Sequence, residues 1–208
     1  MFNLTTLRRS LLAIALGACT TLASAAGTFH VELNTQNLGS TGWIDIQLGS
    51  APMQSSAAWA DLSHFSGFID PASAQLSDVT GSLANGYRLD TSNAGWSDLF
   101  HQVNYAGGKI SFDLTIDGAI GSNYSSFSVS LYDANQQLLS GTAGADGFSV
   151  LRLDFAPPAS AGESGSLLVN GYDASLVQIT AVPEPSSWLM LGAGVALLGL
   201  ARRRQLQA

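Results

Sequence analysis

Hydrophobic and polar residues alternate along much of the chain. Between Lys109 and Asp117 the apolar residues occupy every second position, as Ile110, Phe112, Leu114 and Ile116. Successive side chains of an extended strand point to opposite faces, so this spacing puts all four on one face, whereas a helix would scatter them. The pattern therefore predicts a β-strand with one buried face and one solvated face.

The same alternation recurs in other parts of the chain. Its apolar positions are Phe29, Val31 and Leu33; Ile44, Ile46 and Leu48; Phe127, Val129 and Leu131; Leu151, Leu153 and Phe155; and Val177 and Ile179. Further strands are predicted at Trp59 to Phe68, Leu76 to Leu83, Tyr87 to Asp90 and Ser166 to Asn170, which gives about ten short strands. This spacing predicts an all-β fold, an antiparallel β-sandwich of jelly-roll-like type, over residues 27–181.

Turn signals separate the predicted strands. Gly107-Gly108 stands between the apolar segment that ends at Ala106 and the strand that starts at Lys109, and a two-residue glycine turn predicts a β-hairpin. Asp133 to Gln136 is a second turn candidate. Pro157 to Gly165 is rich in Pro, Gly and Ser and is predicted to be a long surface loop.

Near the C-terminus, an unbroken apolar run from Trp188 to Ala201 precedes Arg202, Arg203 and Arg204. As a helix the run would rise about 21 Å, against about 30 Å for the hydrocarbon core of a bilayer. Local thinning of the bilayer and snorkelling of the arginines can supply the difference, so a single transmembrane helix is predicted at residues 187–201, with its basic end in the cytoplasm. A buried core helix is the alternative, but the glycines of the run argue against it.

The N-terminus has the features of a signal peptide, predicted over residues 1–26. Two arginines precede a short apolar stretch, and Ala23 and Ala25 form the small-residue pattern that signal peptidase cleaves, before Ala26 or Gly27. A lipobox-like sequence ends at Cys19, so lipidation of that cysteine is an alternative. Cys19 is the only cysteine of the chain, and its removal would leave a mature protein without disulfides.

The segment between these two ends is strongly acidic. All but one of the 15 acidic residues lie between Gly27 and Val182, against only three cationic residues, Arg88, Lys109 and Arg152. So few cations cannot neutralise phosphates, which excludes nucleic acid as a partner. Anionic lipid and strongly acidic polysaccharide would be repelled unless divalent ions bridged them. Solubility outside the cell is the plainest role of this charge.

The C-terminal features resemble those of a known sorting signal. The segment Val182-Pro183-Glu184-Pro185, the short apolar helix and the cluster from Arg202 to Arg204 follow one another in the order of a PEP-CTERM signal, over residues 182–204. By this resemblance the Pro-Glu-Pro segment is recognised and processed by an exosortase-type membrane enzyme. The helix is then a temporary inner-membrane anchor, and the arginines are the cytoplasmic stop.

The resemblance also implies a route and a destination. Chains with this signal are exported by the secretion machinery of Gram-negative bacteria that make exopolysaccharide. The implied localisation is an inner-membrane intermediate, followed by the cell surface or the extracellular space. The implied setting is the extracellular matrix of a biofilm or floc.

The segment between Gly27 and Val182 offers few candidates for catalysis. His30, His64 and His101 are scattered without a metal-binding spacing, and each is expected on a solvated strand face or in a loop. Asp113 and Asp117 would lie about 13 Å apart along one strand, beyond the separation of a glycosidase pair, although pairings across strands stay open. The sequence therefore predicts that the protein is not an enzyme and has no catalytic residues.

Two short segments resemble calcium loops. Gly141 to Phe148, which contains Asp146, fits a calcium-binding nonapeptide except for Thr142, and the segment from Asp133 begins like an EF-hand loop but has Leu138 where glycine belongs. A single copy of either segment is not enough to form the calcium site that it resembles. No cofactor is therefore predicted, and one structural calcium ion at Asp146 or Asp133 is the alternative.

Exposed aromatic residues are the remaining candidates for binding. Trp43 follows a glycine at the start of a strand, and Trp96 is predicted to lie in a loop, so both are candidates for stacking on sugar rings. Core packing is the competing interpretation. The predicted function is structural or adhesive, in an exopolysaccharide matrix. A carbohydrate-binding module is the alternative, and a secreted glycan-active enzyme is a third.

Overall fold

The structure, a computed structural model, describes residues 27–50, 57–121, 123–139, 147–172, 174–182 and 192. Thr28–Val182 form one compact unit, and the second unit comprises Met1–Gly27 and Pro183–Ala208. The predicted signal peptide, the predicted helix at 187–201 except Gly192, and the arginine cluster lie outside the described residues. Of the helical residues that are described, none belongs to a helix long and apolar enough to cross a membrane.

Twelve strands make up the described part of the unit Thr28–Val182. Their bounds are β1 Thr28–Asn34, β2 Thr41–Ser50, β3 Ala58–Ser66, β4 Gln75–Ser77, β5 Val79–Ser82, β6 Gly86–Asp90, β7 Trp96–Asn104, β8 Lys109–Gly118, β9 Ser125–Tyr132, β10 Leu151–Ala156, β11 Ser166–Tyr172 and β12 Val177–Val182. A single 3-10 turn, Pro71–Ser73, lies between β3 and β4. Every segment with predicted alternation is a strand.

The strands form two six-stranded sheets. The first sheet has the order β12-β1-β8-β3-β6-β5, and the second has the order β11-β10-β9-β2-β7-β4. Every neighbouring pair in either sheet is antiparallel. The predicted all-β, antiparallel fold class is therefore confirmed.

One hydrophobic core contains residues of both sheets. Ile110, Phe112 and Leu114 of β8 are fully buried, and Ile44 and Ile46 of β2 belong to the same cluster. Burying a side chain of this size contributes roughly 1.5–3 kcal/mol, so the inward halves of the alternating segments are the main source of stability. The outward-facing side chains of the same strands remain available for other roles.

Two local predictions were wrong because they treated neighbours in sequence as neighbours in a sheet. Gly108 does adopt a left-handed φ of 74°, but β7 and β8 belong to different sheets, so the turn is a crossover and not a hairpin. The segment Leu76 to Leu83 is also not one strand. Asp78, with a φ of 49°, divides it into β4 of the second sheet and β5 of the first.

The pairing is nested around the centre of the chain. β1 pairs with β8, β2 with β7, and β3 with β6. β4 and β5 follow one another at the innermost position, one in each sheet. In the second sheet, β2 lies between β7 and β9. Polar residues that are distant in sequence therefore meet on these three strands.

Candidate functional site

The outer face of the second sheet carries a group of aromatic and acidic side chains. Ile44, Ile46 and Leu48 of β2 are buried in the core, so Trp43, Asp45 and Gln47 project from the opposite face. The same alternation holds for β7 and β9. It places Trp96, Asp98 and Phe100 of β7, and Tyr132 of β9, on that outer face.

Three aromatic rings pack together at one end of this face. The Trp43 and Phe100 rings are stacked, with their centroids 5.0 Å apart and their planes 4° from parallel. Tyr132 meets Phe100 edge-on, at a centroid distance of 5.5 Å. Such ring pairs add about 0.5–1.5 kcal/mol each beyond their burial, so this aromatic cluster is a rigid feature.

A buried tyrosine holds the backbone beneath the aromatic cluster. The Tyr105 hydroxyl donates to the carbonyl oxygens of Trp43, at 3.0 Å, and Tyr132, at 2.8 Å. Burial raises the pKa of this hydroxyl well above its usual value. Tyr105 fits only because position 42 is glycine, since a Cβ there would lie 2.2 Å from the ring.

Beside the aromatic cluster lies a pair of carboxyl groups. Asp45 is on the outer face but only 8% exposed, and Gln47 Nε2 donates to its Oδ2 at 2.9 Å. Asp45 Oδ1 and Asp98 Oδ1 are both buried and receive no hydrogen bond from another described group. A single proton shared between the two carboxyl groups would satisfy both oxygens.

The electrostatics of the pair support the shared proton. The pKa of Asp45 is raised from 3.8 to about 8, first by burial and then by the hydrogen bond and the charge of Asp98. Hydrogen bonds from Gln47 and Tyr132 oppose the rise in part. Near neutral pH Asp45 therefore keeps its proton and can donate a hydrogen bond to Asp98.

An exposed tryptophan lies at the other end of the face. Trp96 is 47% exposed and is the first residue of β7, so its predicted place in a loop was wrong. It pairs with Gly49 of β2, which in turn pairs with Ser126 of β9. The glycine has no heavy atom within 4 Å of where a Cβ would be. Among the described residues, the indole therefore lies beside open space next to the small residues Gly49 and Ser126.

The second predicted stacking residue occupies a different environment. Trp43 is half-buried, and one face of its ring is covered by Phe100. It lies six residues from Gly49 along β2, about 20 Å at the rise of a strand. Trp43 and Trp96 therefore share one face of the second sheet but do not form a single platform.

The outer face of the first sheet contains a cluster that the sequence did not indicate. His30 Nδ1 lies 2.6 Å from Asp113 Oδ1, and His64 Nδ1 lies 2.9 Å from Asp113 Oδ2. β1 and β8 place the first two residues opposite one another. A register shift between Ser63 and Ser66 brings His64, with a φ of 53°, to the same carboxylate.

His101 was expected on a solvated face or in a loop, and this expectation was wrong. Its side chain is fully buried on the inward side of β7, and Phe68 and Tyr87 meet its ring edge-on. Burial lowers its pKa, which favours the neutral ring. His101 therefore packs in the core. Nδ1 of its neutral ring can donate a hydrogen bond to the carbonyl oxygen of Gln102, at 2.9 Å.

The calcium candidates divide between described and undescribed residues. Asp133 Oδ1 accepts the backbone N–H groups of Asn135, at 2.8 Å, and Gln137, at 2.9 Å, so this carboxylate closes the turn after β9. Asp146 lies outside the described residues. Among the residues that are described, no group of three or more acidic, histidine or cysteine side chains is arranged to hold a metal ion.

Comparison with protein families identifies the end of the chain. Residues 181–205 match the PEP-CTERM protein-sorting motif. The chain carries an exosortase sorting signal. The predicted resemblance is confirmed, and the PEP-CTERM motif supports an exported protein that is held transiently in the membrane and recognised by an exosortase-type enzyme.

The described part of the PEP-CTERM motif is short. Ala181 and Val182 are the last two residues of β12, whereas Pro183, Glu184, Pro185 and the arginines at 202–204 lie outside the described residues. No curated protein and no solved structure matches the chain. The function of the β-sheet unit must therefore be argued from its own surface.

Proposed function

We propose that the protein is a non-enzymatic adhesive component of an exopolysaccharide matrix, which binds neutral glycan through the outer face of its second sheet. The observation that carries this proposal is the exposed Trp96 indole beside the open floor at Gly49. A flat aromatic ring next to a shallow polar surface suits a sugar ring, since the C–H face stacks and the hydroxyl groups find partners.

The floor beside Trp96 offers hydrogen-bonding groups at strand spacing. Ser126 and Ser128 project from β9 on the same face as Gln47, and Ser128 pairs directly with Gln47. These neutral donors and acceptors suit hydroxyl groups, whereas the acidic surface disfavours anionic polysaccharide. The proposed site of action, after sorting, is the cell surface or the extracellular matrix.

The arrangement of the carboxyl groups favours binding over catalysis. Glycoside hydrolysis needs two carboxyl groups roughly 5–9.5 Å apart on either side of the scissile bond. Asp45 is instead almost wholly buried, and Asp98 lies close enough to raise its pKa. A carboxyl group this buried is not open to a sugar ring.

We further interpret the two sheets as a β-sandwich of jelly-roll type. The nested pairing of β1 with β8, β2 with β7 and β3 with β6 supports this interpretation, since two interlocked Greek keys pair in that order. The shared core of the two sheets supports it too.

The proposal is tested by removing the indole. We expect Trp96→Ala to lower the affinity of the chain for neutral exopolysaccharide about tenfold, the equivalent of about 1.4 kcal/mol, as measured by affinity electrophoresis and calorimetry. Phe148→Ala is the matched control, because Phe148 is also an exposed aromatic residue but lies just before β10. Unchanged affinity after Trp96→Ala would contradict the proposal.

A further inference from the structure

The last strand of the first sheet and the sorting motif share residues. β12 ends at Val182, whereas the PEP-CTERM motif begins at residue 181. Ala181 is paired with Phe29 of β1, and Val182 with Thr28. The start of the motif is therefore part of a folded sheet, and no spacer separates the sheet from Pro183.

Burial decreases along β12 toward the motif. Val177 is 3% exposed and belongs to the core, and Ile179 packs against that core. Thr180, Ala181 and Val182 are exposed, Val182 by 37%. The end of the strand is therefore held by ladder hydrogen bonds with little apolar burial, and strand ends of this kind open at small cost in free energy.

Proline explains why the strand ends at Val182. Pro183 has no N–H group to continue the ladder, and a residue that precedes proline is restricted to extended conformations. Val182 consequently keeps its extended backbone whether or not it is paired with β1. Detachment of this end needs no change of conformation at the residue next to the motif.

A protein that recognises an extended peptide commonly binds it as an added strand, through hydrogen bonds to its main chain. Backbone groups that are paired with β1 are not available for such binding. We propose that Thr180–Val182 leave β1 and offer their backbone to the processing enzyme, while Val177 and Ile179 keep the rest of β12 in the sheet. The enzyme then needs free, extended chain ahead of Pro183, whatever the side chains of that chain are.

Two cysteine pairs along the same ladder test this proposal. Thr28→Cys with Val182→Cys joins the end of β12 to β1, whereas Glu32→Cys with Gln178→Cys joins only its anchored half. Directly opposed residues of an antiparallel ladder have Cα atoms about 4.5–5.5 Å apart, which suits a disulfide. Cys19 is the only natural cysteine, and it precedes the predicted cleavage site.

Each full-length precursor is accumulated in membranes that lack the processing enzyme, oxidised, and mixed with membranes that contain it. Mass spectrometry then follows loss of the C-terminal segment. We expect the oxidised Thr28→Cys/Val182→Cys chain to be processed about tenfold more slowly than its reduced form, and the control pair to be processed equally in both forms. Equal rates for both forms of the first pair would overturn the proposal.

An insertion distinguishes a shortage of free chain ahead of Pro183 from any other effect of the disulfide. Gly-Ser-Gly-Ser placed between Val182 and Pro183 adds about 13 Å of extended chain without opening β12. It should restore processing of the oxidised Thr28→Cys/Val182→Cys chain. If processing stays slow, the disulfide does not act by withholding chain from the enzyme, and detachment of β12 is refuted.

Discussion

At the scale of single residues, the outer face of the second sheet depends on two contacts that alternation does not encode. Asp45 occupies a polar position of β2, yet it is only 8% exposed, and neighbouring Asp98 of β7 helps to raise its pKa. Tyr105 lies on the inward side and fixes the backbone carbonyl of Trp43 at 3.0 Å. Both contacts join residues more than fifty positions apart, so local sequence gives no sign of them.

The acidic pair predicts a pH-dependent stability. The pKa of Asp45 is raised from 3.8 to about 8 in the folded chain, so between these pH values the folded state keeps a proton that the unfolded state releases. The contribution of this group to the free energy of unfolding is therefore full below about pH 4 and decreases as pH rises toward about pH 8. Chemical denaturation at several pH values measures the slope.

Asp98→Asn should flatten that slope. The asparagine amide can donate to an ionised Asp45, so at pH 8 we expect the variant to be about 2 kcal/mol more stable than the natural chain. Asp61→Asn is the control, since Asp61 is an exposed carboxylate that bonds Arg88 on the first sheet. A slope in Asp98→Asn equal to that of the natural chain would rule out the shared proton.

Gly42 and Gly49 form a matched pair on β2. A Cβ at Gly42 would lie 2.2 Å from the Tyr105 ring and 2.3 Å from the Tyr132 carbonyl oxygen, whereas one at Gly49 would meet nothing within 4 Å. We expect Gly42→Ala to lower the free energy of unfolding by about 3 kcal/mol and Gly49→Ala to change it by about 0.5 kcal/mol or less. Equal losses in urea denaturation would contradict this account.

At the scale of elements, the strands could be predicted from the sequence but their sheets could not. A period of two is a local property, so residues Lys109 to Asp117 predict a strand on their own, and β8 spans Lys109–Gly118. The partner of a strand is decided by distant segments. For this reason the local signal at Gly107-Gly108 predicts a hairpin, whereas the turn joins the two sheets.

The candidate sites were missed for the same reason. The register of β2 against β7 places Asp45 diagonally from Asp98, and a shift of register in β3 carries His64 to Asp113. Neither relation leaves a spacing in the sequence. Exposed aromatic residues could be nominated from composition and alternation, whereas buried carboxyl pairs need the long-range pairing of strands.

β12 supplies a prediction about how one strand is held. Val177 is in the core, whereas Val182 is 37% exposed at the other end of the same strand. We expect Val177→Ala to lower the free energy of unfolding by about 2 kcal/mol and Val182→Ala to lower it by less than about 0.5 kcal/mol, measured by denaturant unfolding. A large loss for Val182→Ala would show that the end of β12 is anchored and would weaken the case for its detachment.

At the scale of the whole molecule, delivery and activity are encoded in different parts of the chain. The sorting motif occupies residues 181–205 and could be recognised from Val182-Pro183-Glu184-Pro185, because an enzyme reads these residues as a linear segment. The surface of the β-sheet unit is assembled from strands that are distant in sequence. Its proposed glycan-binding face therefore emerges only with the fold.

The acidity of the whole molecule makes its binding preference measurable. The segment Gly27 to Val182 contains nearly all of the 15 acidic residues but only three cationic residues. An anionic polysaccharide is therefore repelled at low salt, whereas a neutral one is not. Raising the salt from about 0.05 M to about 1 M shortens the screening length to about 3 Å and removes that repulsion. We expect the affinity for neutral glycan to change less than about twofold, and binding of anionic glycan to rise with salt. Trp96→Ala serves as the control for binding through the indole. If binding of neutral glycan falls steeply as salt rises, the interaction depends on charge pairing and not on stacking.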